Sequence, residues 1–204
     1  MSGIVFIISS PSGGGKGTLI REVLRSVPNI GYSVSYTTRK RREGEVHGRE
    51  YFFVEPEEFQ NLIAADEFLE HAEVHGNFYG TSVKQVLSET AAGRDVILEI
   101  DVQGAESIKK KMPEAVGIFI LPPSFEVLKA RLTARETETE EDLRLRLKNA
   151  KSEVERYTDF EYVIVNDDKE IAAGELAAVI VAERQKRVRQ TAKIQAIINS
   201  FNFF

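Results

Sequence analysis

IVFIISSPSGGGKGTLIREVL, residues 4–24, passes through three textures in one short stretch. Ile4 to Ile8 is a wholly apolar, largely β-branched run, the pattern of a strand covered on both faces in a parallel sheet. Leu19 to Leu24 opens a helical pattern. Between them Ser9 to Thr18 reads SSPSGGGKGT, and a glycine-rich loop between a strand and a helix is the context a phosphate-binding loop requires. Glycines admit dihedrals and close approaches that a Cβ forbids, successive backbone amides can converge on phosphate oxygens, and the helix N-terminus adds positive dipole. Lys16 then supplies a mobile full charge, so Ser12, Gly13, Gly14, Gly15, Lys16, Gly17 and Thr18 are the candidate phosphate-binding residues. Measured against G-x-x-x-x-G-K-[ST], Ser10 stands in the first glycine slot and Gly17 replaces the hydroxyl residue that commonly ligates Mg²⁺, with Thr18 the nearest substitute.

Outward from this stretch, similar apolar runs recur at Val96 to Ile100, Gly117 to Leu121 and Tyr162 to Val165, separated by segments of helical periodicity. That alternation predicts an α/β fold, a parallel-sheet core flanked by helices. Between Ser33 and Ser82 the texture changes to Thr, Tyr, Phe and Gly in short alternating runs (SVSYTT, YFFV) around a predicted helix at Pro56 to Ala65, which reads as an inserted strand-rich lobe. Ser124 to Arg156 is charged and helical with a break at ARETETEED, where Thr139 stands like a cap three residues ahead of Asp142. Lys169 to Asn199 reads as one long helix interrupted at Gly174, closing on Phe201, Phe203 and Phe204. The expected organisation is a single domain over 1–204, with core segments 1–32, 83–123 and 157–204, a lobe at 33–82 and a short helical lid at 124–156.

The 204 residues suffice for one substantial core, and 42% hydrophobic with 29% charged residues excludes a disordered or fibrous chain. A net charge of −5 leaves no overall positive field to draw the molecule to nucleic acid, so anion sites must be local. The absence of cysteine excludes disulfides, thiolate metal sites and thiol nucleophiles. No apolar run approaches the ~18 residues of a membrane span, and the N-terminus lacks a signal-peptide pattern; no membrane association and a cytoplasmic location are expected.

The lobe opens YSVSYTTRKRREGEVHGREYFF, and further on EFLEHAEVHGNFYGTS. Taken alone, Arg39 to Arg42 reads as a solvated basic turn. With its flanks, the segment is similar to guanylate kinases, whose GMP-binding pattern is matched by Ser35, Arg39, Arg42, Tyr51, Glu70, Tyr79 and Thr81; the resemblance extends from Ile4 to about Arg187. GKGT in the loop is also the form seen in adenylate kinases and many bacterial guanylate kinases. The chemistry agrees with this resemblance. Arginines and tyrosine hydroxyls suit a dianionic phosphate, a role for Arg39, Arg42, Tyr51 and Tyr79. Guanine offers an N1–H and a 2-amino donor beside an O6 acceptor, so Glu70 would face the donors and Ser35 and Thr81 the oxygen. His71 and His75 read as surface residues.

VILEIDVQG sets Glu99 and Asp101 two residues apart, which on a strand puts both on one face near its C-terminal end, where open α/β sheets bind ligands. The resemblance implies that both belong to the GMP network and that Asp101, through water, joins Thr18 in holding Mg²⁺; Glu99 stands where other members carry Asp. It likewise implies that Arg131, Arg135 and Arg146 close over the ATP phosphates, with Glu136 in place of the usual glycine after Arg135. At 100° per residue Leu143, Leu147, Ala150 and Val154 form one helical stripe with Arg146 at its edge. Asn166 matches the family's adenine contact and reads equally as a turn or cap residue. The implied activity is transfer of the γ-phosphoryl group of ATP to GMP, with Mg²⁺ as cofactor, ATP and GMP or dGMP as the small-molecule partners, and Lys16, Arg131, Arg135 and Arg146 as the catalytic cations. Two rivals remain: a kinase for another nucleoside monophosphate, and a noncatalytic guanylate-kinase-like module that binds phosphorylated peptides.

Overall fold

A computed structural model describes residues 2–74, 76–134 and 140–201, with the side chains of 140–142 outside the description. The core is a five-stranded, all-parallel sheet. Its strands in chain order are β1 (Val5–Ser9), β2 (Ile30–Tyr32), then, after the inserted lobe, Asp95–Glu99, Val116–Leu121 and Tyr162–Val165. The lobe contributes β3 (Tyr36–Thr37), β4 (Phe52–Phe53), β5 (Phe68–Val74) and β6 (Asn77–Ser82), so the last three core strands are β7, β8 and β9. The core order is β2, β7, β1, β8, β9. Helices cover both faces: α1 (Lys16–Ser26), α2 (Pro56–Ala64, in the lobe), α3 (Val83–Ala91), α4 (Val102–Lys111), α5 (Phe125–Thr133), α6 (Glu140–Glu155), α7 (Lys169–Gln185) and α8 (Thr191–Ser200).

Period-two geometry divides β1 between two cores. Phe6 and Ile8 point toward α1 and α7, packing with Leu19, Val23, Leu176 and Ile180; Val5 and Ile7 point toward α3 and α4, packing with Val86 and Ile108. Both faces being covered, the strand has no polar alternation, which is why its sequence is uniformly apolar. In the lobe the strand order is β4, β3, β6, β5, and its interior is aromatic: Phe59 lies 4.7 Å from Phe68 and 5.5 Å from Phe78, ring to ring. Helices α5 and α6 share a small core of Leu128, Leu132 and Ala150, with Leu143 and Leu147 packed against it. Three of the four residues of the expected stripe, Leu143, Leu147 and Ala150, lie in it; Val154 does not. The cap expected at Thr139 lies outside the described residues.

Three elements differ from expectation. β2 was not legible, because Ile30-Gly31-Tyr32 is too short to carry periodicity. Asp101 lies beyond β7 as the N-cap of α4, its Oδ1 accepting from the Gly104 N–H at 2.7 Å, so it leaves the strand at the bend that carries the chain into the helix. The C-terminal helix breaks at Lys186, not at Gly174, which sits inside α7. There Glu183, fully buried, accepts from the Tyr162 hydroxyl at 2.6 Å and pairs with Lys186 at 2.6 Å and Arg189 at 3.5 Å, which turns the chain into a 3₁₀ segment, Arg187–Arg189. α7 packs on α1, whereas α8 leaves Ile197, Ile198 and Phe201 exposed; Phe203 and Phe204 lie outside the described residues.

Candidate active site

The glycine-rich loop sits at the carboxyl end of β1, at the central position of the sheet. Gly13 and Gly15 have φ of +87° and +91°, in the left-handed region that a side chain disfavours. Gly15 has a second constraint: a Cβ there would lie 2.2 Å from Asn166 Nδ2. That amide is buried and donates to the Gly14 carbonyl at 2.9 Å, so Asn166 props the loop from the end of β9. The cap position of α7 belongs instead to Asp168, which accepts from the Glu170 and Ile171 amides. Around the loop lies a cavity of about 280 Å³ lined by Ser12 to Thr18, Arg21 and Glu99. Arg21 donates to Thr18 Oγ1 at 3.2 Å, and Lys16 Nζ donates to the Ile100 carbonyl at 3.1 Å.

A second cavity, of about 240 Å³, opens toward the lobe and is lined by Lys16, Tyr32, Ser35, Tyr51, Glu70, Tyr79, Glu99 and Asp101 among others. Lys16 and Glu99 line both cavities and mark where they meet. Glu99 Oε2 accepts from the Tyr32 hydroxyl at 3.2 Å; burial, reinforced by the Glu99 charge, pushes the Tyr32 phenol far above its ordinary value and keeps it a donor. Tyr51 is raised as well, mainly by burial.

Glu70 lies at the floor of this second cavity. A register shift between Phe68 and Glu70 breaks the alternation of β5, so that Phe68, Leu69 and Glu70 are all buried and Glu70 pairs with Thr81 across β6. Thr81 Oγ1 donates to Glu70 Oε1 at 2.6 Å. Burial raises the Glu70 carboxyl to about 7; the Asp101 charge adds to the rise, while the Thr81 hydrogen bond and Lys111 oppose it.

At the cavity's outer edge Arg39 is held by Glu45 at 2.7 Å and lies 5.4 Å from the centre of the Tyr51 ring and 5.7 Å from that of Phe53. Burial works against its charge, but Glu45 outweighs this and the guanidinium is raised. From the lid side, Arg131 Nη2 donates to the Asn166 carbonyl at 2.9 Å while Nη1 is buried without a hydrogen-bond partner; a Cβ on Gly15 would stand 3.9 Å from that Nη1. Arg146 Nη1 donates to Ser12 Oγ at 3.4 Å, and Glu153 of the same helix accepts from the Ser12 N–H at 3.1 Å. Arg135 lies outside the described residues.

The structure thus gathers Ser35, Tyr51, Glu70, Tyr79, Glu99 and Asp101 around one cavity, and Arg131 and Arg146 at the loop. It does not gather all the expected residues. Arg42 is exposed and exchanges backbone hydrogen bonds with Glu45, its N–H donating to the Glu45 carboxylate at 2.8 Å and its carbonyl accepting from the Glu45 N–H at 3.2 Å, and Thr81 stands behind Glu70 instead of lining the cavity. Asp101 lines the second cavity without reaching the loop, where Glu99 is the carboxylate. Tyr32, Arg21 and Glu45 were not anticipated; a tyrosine, an arginine and a glutamate in ordinary contexts carry no spacing signal. Gln85 was also missed: its side-chain amide both accepts from the Val34 N–H at 3.0 Å and donates to the Val34 carbonyl at 3.3 Å, where the chain enters the lobe. His71 is exposed, as expected, and His75 lies outside the described residues.

A phosphate loop at the carboxyl edge of a doubly wound sheet, abutting a carboxylate-floored cavity in an inserted lobe, defines the class: a P-loop phosphotransferase with a separate acceptor site. The guanylate kinase family model matches residues 3–183, and the chain belongs to that family, whose reaction is the ATP-dependent phosphorylation of GMP to GDP. It is 51% identical to a guanylate kinase of Neisseria gonorrhoeae, covering 97% of each chain, and 47% identical to one of Escherichia coli O157:H7, covering 97% of this chain and 96% of that one. The crystal structure of guanylate kinase from Anaplasma phagocytophilum, 38% identical, superposes with a TM-score of 0.77 over 92% of this chain and 89% of that chain.

Proposed function

We propose that the chain transfers the γ-phosphoryl group of ATP to GMP across the junction of its two cavities, with Lys16 at the crossing point. The supporting observation is that Lys16 and Glu99 line both cavities. Segments 1–32, 83–123 and 157–204 form the core, 33–82 binds GMP and 124–156 is the lid. Amides of Ser12 to Thr18 hold the ATP phosphates, and Asn166 supports their loop next to the adenine side. Arg39, Arg42, Tyr51 and Tyr79 bind the GMP phosphate, Arg42 by swinging in from its exposed position. Glu70 and Ser35 read the base, with Thr81 orienting Glu70. Phosphoryl transfer needs in-line placement, charge neutralisation and exclusion of water, with no protein nucleophile. Lys16, Arg131, Arg135 and Arg146 supply the neutralisation as the lid closes.

The donor set fits Mg²⁺. Thr18 offers a hydroxyl and Glu99 a carboxylate, and both line the cavity around the loop. Among the described residues no group of three or more His, Cys, Asp or Glu side chains is placed to hold a metal. This suits an ion that takes hard oxygen donors and leans on substrate phosphates and water. Thr18 and, through water, Glu99 would hold the ion, which when bound supplies charge neutralisation at the ATP phosphates; Asp101 serves the GMP side. No helix among the described residues is long and apolar enough to cross a membrane, and a cytoplasmic location is part of this reading. The test is ADP formation with GMP, AMP, CMP and UMP offered separately, for wild type and Glu70→Ala. Activity confined to GMP and reduced in the variant is expected; turnover with another base of equal efficiency would overturn the role of Glu70.

A further inference from the structure

Gly104, the third residue of α4, has no conformational reason to be glycine. It is not among the described glycines of positive φ, and inside a helix glycine is less favourable than alanine. What distinguishes the position is its surroundings. A Cβ on Gly104 would stand 3.0 Å from Glu70 Oε2, 3.3 Å from Glu70 Cδ and 3.3 Å from Asp101 Oδ1. Contacts of that length force the neighbour to give by a few tenths of an ångström. Neither carboxylate can give freely. Glu70 is 8% exposed and tied to Thr81 at 2.6 Å, while Asp101 Oδ1 is committed to the Gly104 N–H at 2.7 Å.

We propose that Gly104 determines acceptor specificity by leaving vacant the helix surface against which the Glu70 carboxylate is seated. A carboxylate reads guanine through two donors, N1–H and the 2-amino group, and a two-point contact is sensitive to small displacements of the acceptor oxygens. Gly104 touches no substrate in this account; it is a positioning residue acting through Glu70, and the inference rests on the reading of Glu70 as the base-recognising group.

The experiment compares wild type, Gly104→Ala, Glu70→Ala and the double variant, measuring kcat and KM for GMP and for IMP, which lacks the 2-amino group, together with Tm. Gly104→Ala is expected to raise KM for GMP about tenfold with little change in kcat, given that misplacements near 1 Å cost roughly 10²-fold. The preference for GMP over IMP should fall toward that of Glu70→Ala. In the Glu70→Ala background the contact with the Glu70 carboxylate is gone and only the 3.3 Å approach to Asp101 Oδ1 remains, so the added methyl should lower kcat/KM several-fold less than in wild type, as expected of a group acting mainly through a deleted partner. The helix gain from alanine and the strain of the close contacts oppose each other, so Tm should move by only a few degrees; a loss of folding would lower kcat and Tm together. An equal loss in both backgrounds, or none in wild type, overturns the role of Gly104. Undiminished preference for GMP in Glu70→Ala overturns the assignment of Glu70 itself, and is distinguishable from the first failure because it appears without Gly104 being touched.

Discussion

If Glu70 reads the base, as proposed, replacing it by Gln isolates the consequence of burying that carboxylate. With its pKa raised to about 7, Glu70 is about one-tenth ionised at pH 6 and about nine-tenths at pH 8. Guanine offers donors, so the ionised form is the one that binds, and apparent affinity scales with its population. GMP affinity should therefore strengthen about tenfold between pH 6 and pH 8. The GMP phosphate also titrates in this range, with a second pKa near ~6, so the quantity to measure is the ratio of KM in Glu70→Gln to KM in wild type, at saturating ATP and fixed ionic strength. That ratio should rise about tenfold over the interval. A pH-independent ratio would refute the argument. The same burial has a stability signature. A carboxyl whose folded pKa exceeds its unfolded value contributes stability that is fully present below about pH 4.5 and lost as pH rises to about 7. Above pH 7 the buried charge costs about 3 kcal/mol relative to low pH, so Glu70→Gln should melt several degrees higher than wild type at pH 8, and the gap should close by pH 4.5.

Other positions give sharper or simpler tests. Lys16→Met should lower kcat by about 10²–10³-fold, the range for removing one preorganised charge, with Tm nearly unchanged; a loss under tenfold would exclude Lys16 from the reacting phosphates. Arg131→Ala should lower kcat by a similar factor while KM for GMP stays within about twofold, because its buried Nη1, without a hydrogen-bond partner, lies near Gly15 and Arg131 does not line the cavity that holds Glu70. Gln85→Ala removes both bonds to the Val34 backbone and should destabilise by about 1 kcal/mol, with KM for GMP rising because the entry to the lobe is less constrained; unchanged melting and KM would show that the clamp is idle. Gly174→Ala, where a new Cβ meets nothing within 4 Å, should stabilise α7 by about 0.5–1 kcal/mol, read in urea melts.

Local periodicity and loop chemistry are properties of consecutive residues, and these the sequence by itself determined. Ile4 to Ile8 is apolar at every position because both faces of its strand are covered, and the glycines between strand and helix mark a loop, Ser10 to Gly15, in which Gly13 and Gly15 take left-handed dihedrals. Of the seven residues on which the resemblance was drawn, Ser35, Arg39, Tyr51, Glu70 and Tyr79 come together around the second cavity and its edge, whereas Arg42 and Thr81 do not line it. Pairings across the chain were not legible. Thr81 donates a hydrogen bond to Glu70 instead of lining the cavity, Asp101 leaves the strand to cap α4, and Glu99 takes the place beside the loop. Gly104 carries no signal until α4 is laid beside β5, since only then does its missing Cβ become the space that Glu70 fills. Strand and helix are decided by neighbours along the chain; the angle and charge of a carboxylate are decided by neighbours that only tertiary packing brings within a few ångströms.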